Sequence, residues 1–149
     1  MEETMNIRKL TNKDTTIAAE LYVKTFSQEP WNEKNKVEDI VAHFQRLTQM
    51  NTEKSFILEK DQMMIGIALG FTRSWYKGNQ YHLDTFCIDP AFQGRGYGKL
   101  FMNKIKNELV ADEVHTIILD TDRDMPAEKF YQSTGFTKLA DSVLYAIDF

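Results

Sequence analysis

The spacing of apolar residues in the first part of the chain predicts one short strand followed by two helices. Residues 6–10 form the strand, and Thr11, three positions before Asp14, is typical of a helix start. Pro30 separates the two helices. In each helix the apolar residues recur three or four positions apart and so share one face: Ile17, Ala18, Leu21, Tyr22 and Phe26, then Val37, Ile40, Val41, Phe44 and Leu47.

The middle of the chain is predicted to form three strands. Residues 55–60 and 63–71 are joined by Asp61 and Gln62, a turn-prone pair. The second of these strands is apolar on both faces, which is typical of a central strand, and its Gly66 and Gly70 predict bends or bulges. Residues 81–88 form the third strand.

The last part of the chain alternates helix and strand. Residues 97–110 predict a helix and residues 114–119 a buried strand. Asp124 is expected to be the N-cap of a last helix that contains Pro126 in its first turn and ends at Gly135. Residues 136–147 are expected to finish the chain as one or two strands.

The resulting order, β-α-α-β-β-β-α-β-α-β(-β), predicts an α/β protein with a mixed sheet and helices on its faces. No linker, repeat or low-complexity tract divides the 149 residues. A single domain over residues 1–149 is therefore expected.

Composition and charge restrict the classes of protein that remain. The apolar fraction is 42% and no apolar run is long enough to cross a bilayer, so no membrane association is expected. The first residues are charged and carry no secretory signal, and a single cysteine, Cys87, fits a reducing cytoplasm. A net charge of −4 argues against nucleic-acid binding and mildly favours a cationic substrate.

The turn between the strand ending at Ile88 and the helix beginning at Tyr97 contains three alternating glycines. A glycine-rich turn that opens a helix directs unpaired N–H groups outward, which suits a phosphate. The dinucleotide motif G-x-G-x-x-G is excluded because Lys99 occupies its third glycine position. The P-loop is excluded because Gln93 occupies its first glycine position and Leu100 the place of its Ser or Thr.

What remains, Gln93-x-x-Gly96-x-Gly98, resembles the pyrophosphate signature Q/R-x-x-G-x-G/A of the GNAT acetyltransferases. A second segment, Asp124-x-x-Ala127-x-x-x-Tyr131-x-x-x-Gly135-Phe136, is similar to the N-x-x-A-x-x-x-Y-x-x-x-G-F segment of that family. The resemblance implies the GNAT fold, acetyl-coenzyme A as the cofactor and no metal. It also implies transfer of the acetyl group to a primary amine by direct attack in a ternary complex.

The resemblance also implies roles for particular residues. The end of the strand would pair with the pantetheine amides through Phe86, Cys87 and Ile88, and an N–H near Ile88 would polarise the thioester carbonyl. Tyr131 would stand beside the coenzyme sulfur, or it is a core residue of its helix. Asp124, where the family often has asparagine, can accept a hydrogen bond from the cofactor but cannot donate one. The pyrophosphate would be held by the backbone amides of Gln93, Gly94, Arg95, Gly96, Tyr97, Gly98 and Lys99.

An amine nucleophile must lose its proton, so a base is needed at the acceptor side. Asp84 is the first candidate because a carboxylate in an apolar strand suggests a wet cleft, and His82 shares its strand face. Glu29 and Glu33, in the segment after the first helix, are further candidates. Cys87 as an acyl-enzyme nucleophile is disfavoured, because a lone strand cysteine is more often a small core residue.

The acceptor amine belongs to a small molecule or a peptide. Trp31, Trp75 and Tyr76 could line its pocket, pack loops onto the domain or form a homodimer contact. The alternative function is a non-catalytic acyl-coenzyme A sensor on the same fold.

Overall fold

The computed structural model describes residues 5–50 and 53–149 of the chain. Within these residues it has the expected order of elements as far as the last helix, and none of the helices is both long and apolar enough to cross a membrane. The strands are β1 (Met5–Lys9), β2 (Ser55–Lys60), β3 (Met63–Arg73), β4 (Gln80–Ile88) and β5 (Thr116–Ile118). The helices are α1 (Thr15–Phe26), α2 (Val37–Thr48), α3 (Tyr97–Ala111) and α4 (Pro126–Ser133). Two compact units, divided between Leu119 and Asp120, are described separately below.

The first unit is built on a mixed sheet with the strand order β1-β2-β3-β4-β5. Neighbouring strands are antiparallel except β4 and β5, which are parallel. Successive side chains of a strand point to opposite faces, so β3 contributes to two layers. Its Ile67 and Leu69 pack with the α1–α2 core, whereas Gly66 lies close to Phe101 of α3. The fold class predicted from the sequence is therefore confirmed.

The α1–α2 layer has a narrower buried stripe on α1 than the sequence predicts. Ala18, Ala19, Leu21 and Thr25 are buried, but Ile17, which was expected on the inward face, is 55% exposed. In α2 the expected Ile40, Phe44 and Leu47 are all buried. The apolar spacing thus fixes the face of α2 better than that of α1, because the two alanines of α1 already provide the close contact with the sheet.

The turn and bulge predictions in the β2–β4 region are confirmed. Asp61 and Gln62 both have positive φ, 49° and 69°, as a two-residue hairpin turn that follows the twist of the strands requires. The register of β2 on β3 shifts opposite Gly66, and that of β3 on β4 shifts next to Gly70. A Cβ at Gly70 would lie 2.2 Å from the carbonyl oxygen of His82, so only glycine fits there.

The second unit contains α4, and both ends of this helix can be explained locally. At its C-terminus the amides of Gly135 and Phe136 donate to the carbonyls of Gln132 and Tyr131, at 3.3 and 3.1 Å, with Gly135 at φ 101°. This is a Schellman motif, and the ring contact of 5.4 Å between Tyr131 and Phe136 is its usual apolar contact. The predicted helix end at Gly135 is confirmed.

The predicted N-cap of α4 is wrong by one residue. Met125 is the N-cap, and Asp124 precedes it in the left-handed region at φ 63°. The amide of Asp124 donates to the carboxylate of Glu128 at 3.2 Å, so a side chain inside the helix reaches back to satisfy the preceding backbone. Asp124 is placed there because short polar side chains tolerate the left-handed conformation.

The expected closing strands over residues 136–147 are the second correction, since no strand is present in residues 136–149. A turn with a 3.2 Å hydrogen bond from the amide of Ser142 to the carbonyl of Leu139 interrupts the segment. A strand exists only when its backbone groups pair with another strand. The apolar pattern around Val143 and Tyr145 shows which residues suit a strand but does not supply a partner.

Candidate functional site

The glycine turn begins with a capped bend after β4. Asp89 accepts a 2.9 Å hydrogen bond from the amide of Ala91 and caps a short 3-10 turn, Pro90–Phe92. The ammonium of Lys24, in α1, contacts the same carboxylate oxygen at 2.9 Å. The amide of Asp89 donates to the carbonyl of Ile65 at 2.7 Å. These bonds fix the point at which the chain leaves the sheet.

Gly94 and Gly96 are required by backbone conformation. Both lie in the left-handed region, at φ 77° and 85°, and Gly96 is the N-cap of α3. A Cβ at either position would meet no atom within 4 Å, so the space outside the turn is open. The first amides of α3 lie at the positive end of the helix, where the helix backbone itself offers no acceptors. An open helix N-terminus of this kind suits a pyrophosphate.

The side chain of Gln93 adds a contact that the sequence analysis did not predict. Its amide Nε2 donates a 2.9 Å hydrogen bond to the carbonyl of Ile88, the last residue of β4. The guanidinium of Arg95 lies 5.8 Å from the ring centre of Phe92, and the ammonium of Lys60 lies 6.0 Å from that ring. The turn is thus tied to the strand, and Arg95 adds a positive charge to it.

The β4 strand continues beyond its pairing with β5. The parallel pairs are Gln80 with Thr116, Tyr81 with Ile117 and His82 with Ile118, after which residues 83–88 have no β5 partner. An extended ligand can add to a strand edge of this kind through main-chain hydrogen bonds. The side chains at the end of β4 point elsewhere, because Phe86 stacks on Phe101 at 5.5 Å and Cys87 is buried in the α1–α2 core. Phe86, Cys87 and Ile88 can therefore offer their backbone, as the resemblance implies.

A β-bulge places Asp84. Thr85 pairs with Leu69 and Leu83 with Gly70, so Asp84 is the extra residue of β4. The bulge brings Asp84 and Thr85 to the same side of the strand, where the hydroxyl of Thr85 donates to Oδ2 of Asp84 at 2.9 Å. The His82 ring stacks on Phe71, with ring centres 5.2 Å apart, and Cys87 packs in the α1–α2 core. Both side chains therefore lie on this side of the sheet too.

His43 is the residue that sequence reasoning missed. Its Nε2 lies 2.8 Å from Oδ2 of Asp84, which joins α2 to the bulge in β4. The two residues are far apart in the chain, but one signal was available: His43 precedes the inward-facing Phe44 and follows Ile40 by three positions.

Tyr22 and Glu33 lie on the same side of the sheet. Burial raises the pKa of Tyr22 to about 12, and the negative charges of Glu33 and Asp84 add to this effect. Tyr22 therefore keeps its hydroxyl proton near neutral pH and can donate a hydrogen bond. Glu29, the other candidate in the loop, is exposed.

The three candidate aromatic residues separate into two places. Trp31 packs on Phe26 at 5.2 Å, and Phe26 packs on Tyr22 at 4.5 Å, so Trp31 extends the aromatic wall of the Asp84 side. Trp75 and Tyr76 contact each other at 4.9 Å in the exposed connection between β3 and β4. Of the three, only Trp31 joins the aromatic residues around Tyr22.

The surroundings of Cys87 disfavour a reactive thiolate. Its thiol is buried, and this burial raises its pKa to about 12, only partly opposed by a hydrogen bond with Thr25. A thiolate is the reactive form, so the disfavoured acyl-enzyme role gains no support.

Tyr131 and Asp124 belong to the second unit. The Tyr131 ring contacts Phe130 and Phe136, each at 5.4 Å, and Asp124 precedes α4 as described above. Their roles beside the cofactor stay predictions.

These features define an α/β protein with a left-handed glycine turn at the start of a helix, beside a strand end that has no β5 partner. The sequence model described as Acetyltransferase (GNAT) family matches residues 15–136. The chain belongs to the GNAT acetyltransferase family.

Individual relatives agree with this assignment. A [ribosomal protein bS18]-alanine N-acetyltransferase of Haemophilus ducreyi is 34% identical over 58 residues, which cover 38% of this chain and 40% of that protein. An aminoglycoside N-acetyltransferase solved with CoA aligns over 99% of this chain and 97% of its own, with a TM-score of 0.75 and 19% identity. A predicted acetyltransferase from Clostridium acetobutylicum, solved with acetyl-CoA, covers 96% of both chains with a TM-score of 0.70 and 18% identity. The two structures show the fold.

Proposed function

We propose that this protein is an N-acetyltransferase that uses acetyl-CoA to acetylate a primary amine of a small molecule or peptide. The observation that carries the proposal is the position of the left-handed Gly96 at the start of α3, tied through Gln93 to the end of the open β4 edge. One continuous surface therefore offers amides for a pyrophosphate and a strand edge for an extended amide chain.

The residues present fit acetyl-CoA. The amides of residues 93–99 would hold the pyrophosphate in the open space outside Gly94 and Gly96. The backbone of residues 86–88 would pair with the pantetheine arm. When bound, the cofactor supplies an acetyl thioester at the end of β4. An amide near Ile88 would donate to the carbonyl oxygen of that thioester and stabilise the negative charge that develops there.

The Asp84 side would receive the amine. A lysine-like amine has a reference pKa near ~10.4 and arrives protonated, so it needs a negative partner and a proton acceptor. Asp84 provides the charge, and the aromatic rings of Tyr22 and Trp31 can shield a cation from water. The net charge of −4 favours the approach of such a substrate.

Transfer proceeds by direct attack of the amine. A covalent intermediate on the protein would need a reactive nucleophile near the end of β4, and the cysteine there is buried with a raised pKa. Tyr131 would donate a hydrogen bond to the sulfur that leaves the thioester. With reference pKa values near ~10 for a phenol and ~8.5 for a thiol, stabilising the thiolate is as reasonable as full proton transfer.

The acceptor amine belongs either to a small molecule or to a peptide, and the names of two relatives illustrate these two kinds. One relative is named for an alanine of a ribosomal protein and the other for aminoglycosides. The proposal places a single catalytic domain, residues 1–149, in the cytoplasm, with a homodimer to be checked by light scattering.

The experiment combines coenzyme binding with turnover. Calorimetry measures CoA binding, and thiol release from acetyl-CoA is followed with aminoglycosides, polyamines, amino acids and alanine-ended peptides. Thiol release that depends on one class of amine, with the acetylated product seen by mass spectrometry, supports the proposal. Binding without thiol release from any amine indicates the sensor instead. Absence of CoA binding overturns both.

A further inference from the structure

The carboxylate of Asp84 receives two side-chain contacts at the same oxygen. Nε2 of His43 lies 2.8 Å from Oδ2, and the hydroxyl of Thr85 donates to Oδ2 at 2.9 Å. Both side chains of the pair are partly open to solvent, with 37% of the His43 side chain and 34% of the Asp84 side chain exposed. The pair therefore combines a fixed geometry with access from the cleft.

The contacts decide which atoms carry protons. An ionised carboxylate only accepts hydrogen bonds, so Nε2 of His43 must be the protonated nitrogen. Nδ1 then holds the lone pair of the neutral ring. Because both donors approach Oδ2, the lone pairs of Oδ1 are left to face an incoming ammonium group.

We infer that His43 and Asp84 act as one proton-accepting unit, in which Asp84 holds the amine through Oδ1 and His43 is the positioning residue that stores the released proton. The inference rests on the proposed acetyl transfer and deepens it. An imidazole binds a proton roughly 400-fold more tightly than an aspartate carboxylate, from reference pKa values of about 6.5 and 3.9. An imidazole nitrogen is therefore a better resting place for a proton than a carboxylate, and Nδ1 is the nitrogen of His43 that the contact with Asp84 leaves open.

The step balances. The C–N bond of the new amide forms as the C–S bond of the thioester breaks. The ammonium group gives one proton, by way of Asp84 and water, to Nδ1 of His43 before attack, and the nitrogen loses a second proton as the amide forms. The sulfur leaves with the electron pair of the broken bond and takes up the equivalent of that second proton through Tyr131 or water, and His43 returns the first proton to solvent.

Three buried groups near the pair keep their protons close to neutral pH. Burial raises the pKa of Tyr22 and Cys87 to about 12 and raises that of Tyr81 further, so all three stay protonated. The remaining neighbours are one carboxylate after α1, one histidine on β4 and the α2 residues one turn before and after His43: Glu33, His82, Asp39 and Arg46. Of these, only His82 has a reference pKa near neutrality.

The test is a pH profile with a matched control. His43→Gln keeps an N–H donor for Asp84 but cannot store a proton. We expect kcat to fall about 10- to 100-fold and the acid limb of kcat/KM to move at least about one pH unit lower. CoA affinity should stay within about twofold. The control His115→Gln, at an exposed histidine before β5, should match the parent.

If His43 and Asp84 act as one unit, the rate losses of their single variants should not multiply in the double variant. Asp84→Asn removes the group through which His43 acts, so the double variant should be no slower than Asp84→Asn alone. A double variant whose rate loss is the product of the two single losses would overturn the inference. So would an acid limb of the pH profile that moves in His82→Gln and not in His43→Gln. A His43→Gln variant that loses activity without a change in the pH profile would show a merely structural role.

A readout without turnover separates this inference from the proposed function. In ¹⁵N NMR the parent should show His43 with a hydrogen-bonded Nε2 proton, and Asp84→Ala should lose that signal. A parent spectrum with the proton on Nδ1 overturns the inference even if acetyl transfer is found. If CoA binds but no amine is acetylated, acetyl transfer and the proton-storage role that rests on it both fail.

Discussion

The side-chain amide of Gln93 donates a 2.9 Å hydrogen bond to the main-chain carbonyl of Ile88. This bond joins the glycine turn to the last residue of β4, so the two surfaces proposed for the pyrophosphate and the thioester are fixed relative to each other. The family signature allows glutamine or arginine at this position, and both side chains carry N–H donors. A side-chain donor to the carbonyl of the last β4 residue is thus one reason for glutamine or arginine at this position, besides contact with the phosphate.

Replacing Gln93 should weaken coenzyme binding by an amount that depends on the new side chain. Gln93→Met keeps the length and loses the hydrogen bond, so CoA affinity should fall about 3- to 10-fold, the worth of one net hydrogen bond. Gln93→Glu also loses the donor and adds a negative charge beside the phosphates, so the fall should exceed about 10-fold. Calorimetry in low salt measures both.

Two features would contradict this account. Equal affinities for the parent and Gln93→Met would show that the bond to Ile88 does not matter. A salt dependence that is the same for Gln93→Met and Gln93→Glu would show that the site is not close to phosphate charge.

Gly96 and Gly98 should respond oppositely to alanine. Gly96 has φ 85°, where a Cβ costs about 1–2 kcal/mol, so Gly96→Ala should lower the free energy of unfolding by that amount. Gly98 lies inside α3, where alanine is the better helix former, so Gly98→Ala should raise it by about 0.5 kcal/mol. Urea unfolding of the two variants provides the comparison, and equal effects would contradict the role of the left-handed turn.

What the sequence predicts well is local. The hairpin at Asp61 and Gln62, the glycine turn and the helix end at Gly135 each depend on conformations that a few neighbouring residues determine. Helix faces follow from spacing in the same way. The conformation of the glycine turn proposed for the pyrophosphate was predictable because its residues are contiguous.

What the sequence does not predict depends on distant partners. The His43–Asp84 contact needs a bulge in β4 and the packing of α2 on the sheet. The residues next to His43 in the sequence determine neither of these features. The expected strands over residues 136–147 fail for a related reason, since alternation describes one strand and says nothing about its partner. The wrong N-cap prediction at Asp124 has a local cause. Aspartate suits both an N-cap and a left-handed backbone, and here it adopts the left-handed conformation one residue before the N-cap.

Asp14 should make the stability of the protein depend on pH. Its carboxylate accepts two hydrogen bonds of 2.8 Å from the guanidinium of Arg8 and two more from Thr11. The Arg8 hydrogen bonds, foremost among the causes, hold the pKa of Asp14 well below its usual range. A carboxyl whose pKa is lowered by folding stabilises the native state above its unfolded value, near ~3.9, and loses this contribution as the pH falls.

Asp14→Asn should therefore lower the free energy of unfolding by about 1–3 kcal/mol at pH 7, and the difference from the parent should shrink below about pH 4. Urea unfolding between pH 3 and 7 measures this. Asp148→Asn, at an exposed carboxylate, is the matched control and should follow the parent at each pH. A difference that stays constant across the range would assign the loss to packing.

Tyr131 can be tested without disturbing the helix end that it helps to form. Its ring contacts Phe136 at 5.4 Å in the Schellman motif, and Tyr131→Phe keeps that ring while removing only the hydroxyl. If the hydroxyl stabilises the departing thiolate, kcat should fall about 10- to 1000-fold, within the range of losses for a single acid or oxyanion donor.

The coenzyme affinity of Tyr131→Phe should match that of the parent, because the ring contact with Phe136 is intact. Tyr145→Phe makes the same chemical change in the same unit at a side chain that is 89% exposed, and should leave kcat unchanged. A Tyr131→Phe variant with the kcat of the parent would return Tyr131 to a packing role alone. The tyrosine of the Tyr-x-x-x-Gly-Phe segment would then be accounted for by the Schellman contact, since a ring at that position already has a structural reason.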